Sequence, residues 1–204
     1  MSMHSYKVMA PSTMLNPTPV VLVSCADPQN PEKRNMITLA WAGTINSEPP
    51  MVSISVRKER YSHPLIAGSG EFVINLVDEK MARATDLCGV KSGRHTDKAK
   101  ESGLSYMKAD KMNTAPAVQD APVSLCCKVR QTLELGSHDM FLGEIVSVMI
   151  RDDLLDEKGS LHLEKAGLIA YSHGLYHKLG DVIGFFGWSV AREEVLQRRM
   201  NAYR

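Results

Sequence analysis

Between Asn35 and Val77 the chain reads NMITLAWAGTINSEPPMVSISVRKERYSHPLIAGSGEFVINLV, which places an amide, hydroxyls, an aromatic ring and a basic run within one short window. A phosphorylated aromatic ligand makes two different demands. Its planar ring needs apolar cover with a few amide or backbone hydrogen bonds, and its phosphate needs cations, hydroxyls and free N–H groups. Trp41 could provide the cover, Asn35 both a donor and an acceptor, and Arg57, Lys58 and Arg60 the charge. Ser62 followed by Pro64 predicts a capped helix start running to about Gly68, whose exposed N–H groups attract anions. Each residue also has a plainer use: Trp41 in a core, Asn35 capping its own turn, Ser62 as an ordinary cap beside solvated cations.

The elements that must position these residues are mostly strands. Apolar or alternating runs predict strands over Val20 to Cys25, Ile37 to Trp41, Met51 to Val56, Glu71 to Leu76, Val123 to Leu133 and Met140 to Ile150, with a loop linking the second to the third. Shorter helical signals lie at Ser62 to Ala67, at Asp78 to Leu87 with Gly89 as a stop, around Thr96 to Ser102, and at Val190 to Met200. Few strands alternate with long crossover helices, so the pattern favours a closed antiparallel sheet with peripheral helices over a doubly wound parallel one. Segments Asp27 to Arg34, Asp110 to Pro122 and Asp152 to Gly159 carry turn residues and read as excursions.

Composition sets bounds. At 204 residues and 44% hydrophobic the chain can bury one full core, and no internal repeat divides it. We therefore expect one domain over residues 1–204, with 190–204 as a C-terminal helical extension. Its 24 basic and 23 acidic side chains leave a formal charge of +1, which provides no global field for nucleic acid or anionic lipid. The four cysteines, Cys25, Cys88, Cys126 and Cys127, show no CxxC spacing, and adjacent strand residues Cys126 and Cys127 must face opposite ways, so a disulfide framework is not expected. The start of the chain lacks a signal-peptide pattern and no apolar run approaches the roughly 20 residues of a membrane span, which makes the cytoplasm the expected location.

The same window resembles the flavin reductase-like family of FMN-binding split barrels, in particular its flavoredoxin branch. The resemblance rests on Asn35, Met36, Thr38, Ala40 and Trp41; on Pro49, Pro50 and Ser53 to Arg57; and on Gly70 to Leu76. It continues through Cys88, Gly89, Ser92, Gly93, Asp97 and Lys98, then His138, Phe141 and Gly143, and last Tyr176, Leu179, Gly180, Phe186 and Gly187. Order and spacing together, from about Pro19 to Ser189, carry the likeness.

The resemblance implies a six-stranded antiparallel Greek-key barrel, a mainly β fold with peripheral helices, that binds FMN noncovalently near the interface of a homodimer. It implies binding roles only: Trp41 and Tyr171 near the ring; Asn35, Thr38 and His138 on polar ring or ribityl atoms; Arg57, Ser62 and Lys98 on phosphate; with Ala40 and Ser55 also among the cofactor-binding residues. No catalytic residue is expected, because the flavin would carry electrons from NAD(P)H to an acceptor. By sequence alone Lys98 in DKAKE reads first as a solvated helix charge, and His138 reads equally as a turn residue. His173 and His177, with His162, have a spacing that could hold a metal, yet Gly174 and Gly180 argue against the helix this needs, and no metal site is expected. Cys88 reads as packing rather than a redox thiol. Two further readings stand beside the reductase: an electron carrier without its own NAD(P)H site, serving a redox protein partner and lacking GxGxxG, and a flavin-free assembly protein, which would purify colourless.

Overall fold

A computed structural model describes residues 4–201. Alternate side chains of the predicted strands point to a single interior. Val21, Val23 and Cys25, then Val52, Ile54 and Val56, then Phe72 and Ile74, pack with Ile37, Cys127 and Phe141 around one axis. These side chains come from β2 (Val21–Ala26), β3 (Arg34–Leu39), β5 (Pro50–Arg57), β6 (Glu71–Leu76), β9 (Val123–Glu134) and β10 (His138–Ile150). Period-2 alternation of this kind follows from a pleated sheet with one buried face. The short β1 (Thr18–Pro19) precedes them, and β4 (Ala42–Ser47) follows β3.

The sheet order is β3-β2-β6-β9-β10-β5-β4, with every pairing antiparallel. β3 and β4 sit at opposite ends of that order, yet they are successive stretches of one chain bent at Ala40–Trp41. Counting them as one bent strand turns seven ladder segments into six staves, and that strand closes the barrel by pairing with β2 before the bend and β5 after it. Closure leaves no long edge exposed. Helix α1 (Ser62–Ser69) puts Leu65 and Ile66 into the interior, and Gly70, at φ 66°, ends it in the left-handed conformation glycine favours.

The outer face of β2, β3 and β6 is covered by the excursion after β6. Val20, Leu22 and Met36 pack against Val77, Met81, Cys88, Leu104 and Val118. This excursion carries α2 (Ala82–Val90), α3 (Lys98–Ser102), β7 (Tyr106–Met107) and β8 (Ala117–Val118). Buried Asn75 fastens it: its amide donates to Leu22 O and Ser24 Oγ, both at 2.9 Å, and accepts from Val118 N at 2.8 Å. Glu71 holds the next loop by accepting from Asn113 N, Thr114 N and Ala115 N. Cys126 faces this outer layer and Cys127 the interior, as adjacent strand residues must. β11 (Ile169–Ser172) and β12 (Leu175–Lys178) form a hairpin with β1, and α4 (Glu193–Asn201) follows.

Several local expectations need correction. The supposed loop after Trp41 is strand β4; its AGTINS sequence is exposed and so carries no apolar alternation. Ser62 is not a cap, because Tyr61 already has helical dihedrals and Ser62 is the first residue of α1. Gly89 is the last but one residue of α2 rather than its stop, and it packs closely on β3, where a Cβ would come within 3.2 Å of Thr38. The helix expected from Asp78 begins as a 3-10 turn capped by Asp78, with α2 following. His173 occupies the turn of the β11–β12 hairpin at φ 48° and His177 lies in β12, so their spacing is not helical. Among the described residues no helix is long and apolar enough to cross a membrane.

Candidate functional site

Two groups of polar side chains meet along β3 and its bend. The first lies where β3 passes the start of α1. Asn35 is buried and donates through Nδ2 to Ser62 Oγ at 2.8 Å. Cys25 lies beneath them, fully buried; burial pushes its thiol up to about 12, with Ser62 and Lys98 pulling weakly the other way, so it is no nucleophile. Lys98 turns inward. Its ammonium donates to Met36 O at 2.9 Å and Cys88 O at 2.6 Å, which bolts β3 to the last turn of α2, and burial lowers its pKa. The α2–α3 loop presses on this group at Gly93, where a Cβ would stand 2.4 Å from Asn35 Oδ1 and 2.7 Å from the Tyr61 ring. A small pocket of about 100 Å3 remains between Asn35, Arg60, Tyr61, Gly93 and Lys98.

The second group lies at the bend. Trp41 is 47% exposed, and its ring stands 4.7 Å from that of His138. Ala40, Trp41, Ala42 and Gly43 form one wall of a cavity of about 480 Å3; Ser53 and Ser55 of β5 form another, and the N-terminal segment at Met14 and Leu15 a third. Ser55 donates its N–H to Trp41 O at 3.0 Å, which fixes the bend against β5. His138 opposes Arg57 in the β5–β10 ladder. Burial and the charges of Arg57 and Arg60 hold its imidazole below the usual histidine value. Arg60 also opposes protonation of Lys98, so its field reaches both groups.

Of the residues singled out in the sequence, Asn35, Ser62 and Lys98 therefore come together, as do Ala40, Trp41, Ser55, Arg57 and His138. Thr38 points to the other face of β3, where its hydroxyl donates to the Thr85 carbonyl of α2. Tyr171 stands apart: its ring meets Tyr176 edge-on at 5.5 Å and packs on the outer core, while its backbone pairs with Thr18, a residue of the cavity wall. Sequence reasoning did not single out Tyr61 or the Met14–Leu15 wall, and it named Ser53 only within the stretch that carries the resemblance, with no binding role. Tyr61 was foreshadowed by its place directly before the helix; the N-terminal wall has no alternation and gave no signal.

The flavin reductase like domain matches residues 13–180. The chain belongs to that family. Flavoredoxin of Desulfovibrio vulgaris (Miyazaki F) superposes with a TM-score of 0.81 at 27% identity, covering 89% of this chain and 97% of that one. Flavoredoxin from Methanosarcina acetivorans gives 0.80 at 27% identity, covering 89% and 95%. The uncharacterized protein YddH of Escherichia coli (strain K12) is 30% identical over 138 residues, 67% of this chain and 72% of that one. The barrel is thus the split barrel of flavin reductase-like proteins.

Proposed function

We propose that this chain binds FMN noncovalently at the β3–β4 bend and serves as an oxidoreductase that moves electrons from NAD(P)H through that cofactor to an acceptor. The observation that carries this reading is the placement of two groups along β3 and its bend: an aromatic-walled cavity of about 480 Å3 at Trp41, whose ring stands against His138 opposite Arg57, and the Asn35–Ser62–Lys98 cluster, with the charge of Arg60 acting on both His138 and Lys98. That volume lies within the usual range for small-molecule sites. Glycine at 93 lets the α2–α3 loop press directly on Asn35 and Tyr61, where any side chain would clash with both. These residues fit the group: Trp41 and Ala40 cover the ring, Ser53, Ser55 and Asn35 offer hydroxyl and amide partners, and Arg57 and Arg60 hold the phosphate.

When bound, FMN supplies the redox centre, taking electrons from a reduced nicotinamide and delivering them onward. The chain's own task is to bind and orient. His138, held toward its neutral form, keeps one donor and one acceptor nitrogen beside the cations. Lys98 and Ser62 are already engaged with Met36, Cys88 and Asn35, so they set the shape of the floor, and the Lys98 ammonium adds positive potential from beneath. No acid or base is required of the protein.

A second copy of the chain completes this reading. Phe186, Ile183, Val190 and Leu175 are 104%, 83%, 87% and 61% exposed. Apolar surface on that scale favours burial against a partner, and we assign a homodimer with the cofactor near its interface, in the cytoplasm, each chain a single domain. The similarity to flavoredoxins favours one alternative, a carrier that exchanges electrons with a redox protein. Anaerobic stopped-flow absorbance of the FMN-loaded protein separates the two. Rapid bleaching of the oxidised band by NADH or NADPH supports the reductase; bleaching by dithionite but by neither nucleotide replaces it with the carrier. A protein that stays colourless after FMN is added would end both readings.

A further inference from the structure

Beyond Lys98 and Gly93 a trough opens away from the bend, between the start of β3 and the α2–α3 loop. A cavity of about 450 Å3 there shares Arg34 and Tyr106 with a neighbouring one of about 360 Å3. The larger also touches Tyr61, Gly93 and Lys98, the residues that wall the small pocket beside Asn35. The trough therefore runs from the floor of the site to the surface without a break in its lining.

Its chemistry is specific. Arg34 lies 4.8 Å over the Tyr106 ring and Arg94 lies 5.8 Å over the Tyr61 ring, so two flat cationic stacks stand on its walls. Arg94 makes no ion pair among the described residues, and its guanidinium donates to the Glu59 carbonyl at 3.3 Å. Arg34 pairs at 3.3 Å with Glu32, whose side chain is 83% exposed and free to leave. Of the carboxylates on the wall, Asp97 already caps Lys100 N. A bare phosphate would use the cations but neither the stacking faces nor the volume. An apolar molecule would bury these charges unpaired. A base joined to phosphates uses all three features, since guanidinium planes stack on bases and fork onto phosphate oxygens.

We propose that this trough holds the adenosine phosphate half of the nicotinamide dinucleotide donor, with the base against Arg34 and Tyr106 and the phosphates against Arg94. The inference rests on the reductase reading above, because it names where that reading's donor docks. It also accounts for a donor site without GxGxxG: the phosphates are met by side-chain cations rather than by glycine N–H groups at a helix start.

The test is calorimetric titration of the FMN-loaded protein with ADP, repeated in Arg34→Ala and Arg94→Ala, with circular dichroism to verify folding. ADP affinity is expected to fall tenfold or more in each variant while FMN affinity holds. In stopped flow, the wild-type preference for the dinucleotide over reduced nicotinamide mononucleotide, which lacks the adenosine half, should collapse in both variants. No ADP binding to the wild type, or wild-type ADP affinity in both variants, overturns the proposal. ADP binding that depends on both arginines, together with no flavin reduction by NADH or NADPH, would retire the reductase reading and leave the trough as a nucleotide site.

Discussion

Replacing Lys98 with methionine separates a scaffold role from a cofactor contact. The substitution keeps the length of the side chain and removes the ammonium. Its two acceptors, Met36 O at 2.9 Å and Cys88 O at 2.6 Å, belong to residues that are themselves fully buried, and methionine offers neither of them a donor. A buried polar group left unpaired costs about 1–3 kcal/mol, or about 2–6 kcal/mol for the pair. Relief from burying a charge offsets part of this, which leaves about 2–3 kcal/mol of lost stability. Urea unfolding of the FMN-free protein at fixed concentration, followed by tryptophan fluorescence, should show the midpoint falling by roughly 1–2 M for an ordinary urea slope. The pH dependence has a definite sign. Folding lowers the pKa of Lys98 from 10.5, so the unfolded chain holds more protons above the folded value. Wild-type stability therefore rises with pH between the folded value and 10.5, and the variant lacks that increment. An unchanged midpoint without FMN, combined with a tenfold loss of FMN affinity, would refute the argument and return Lys98 to direct cofactor contact.

Other outcomes follow from the same geometry. In Gly143→Ala the new Cβ would sit 2.5 Å from Cζ of buried Phe72, where β10 carries a bulge. Overpacking of this kind costs about 1–3 kcal/mol, and calorimetry should show Tm lower by roughly 3–10 °C; an unshifted Tm would mean that the ring moves freely. Burial raises the Glu71 carboxyl, but hydrogen bonds from Thr114, Asn113 and Ala115 outweigh it and hold the pKa below 4.5. Its contribution is complete above the unfolded value and lost as pH falls through the folded one, so Glu71→Gln should flatten the acid limb of stability, measured by urea midpoints from pH 6 to pH 3. His138 should titrate below 6.5 by NMR in the FMN-free protein and move upward when FMN's phosphate arrives. A His138 pKa indifferent to FMN would place the phosphate elsewhere.

Much of the barrel was readable because its interior imposes a strict period. Val21–Val23–Cys25 and Val52–Ile54–Val56 alternate, and β6 runs over the same Glu71–Leu76 that the sequence marks. β4 was invisible for the complementary reason: five of its six residues are exposed, so nothing enforced alternation. The site was legible in its members and less so in their arrangement. Asn35, Arg57 and His138 lie in strands that run one or two residues beyond the ends the sequence suggests, and Trp41, expected as a strand end, lies at the bend between two strands. Lys98 is different: DKAKE carries the signature of a solvated helix, and only tertiary packing of α2 on β3 turns that lysine inward. Ser62 likewise has the right type at the right helix end, but the preceding turn is already helical, and its hydroxyl is left for Asn35.

The position of the site follows from how the barrel closes. A strand that pairs with β2 on one side and β5 on the other must change partners somewhere along its length. The ladder with β2 runs to Leu39, paired with Val21, and the ladder with β5 begins at Ala42, paired with Ile54. Ala40 and Trp41 belong to neither. Of the backbone groups released there, Trp41 O is met by the Ser55 N–H; any left unmet need other partners, and a heteroaromatic ring edge is one. The bend also turns Trp41 outward, where the cavity with Ser53 and Ser55 opens. Filling the bend with a bulkier residue at Ala40 would thus spare the interior core and strike the cavity. Ala40→Val should leave the unfolding free energy, measured in urea, within about 0.5 kcal/mol of wild type, as surface substitutions do, yet reduce FMN affinity tenfold or more. Equal loss of both would show that the bend is part of the core rather than a site held open by it.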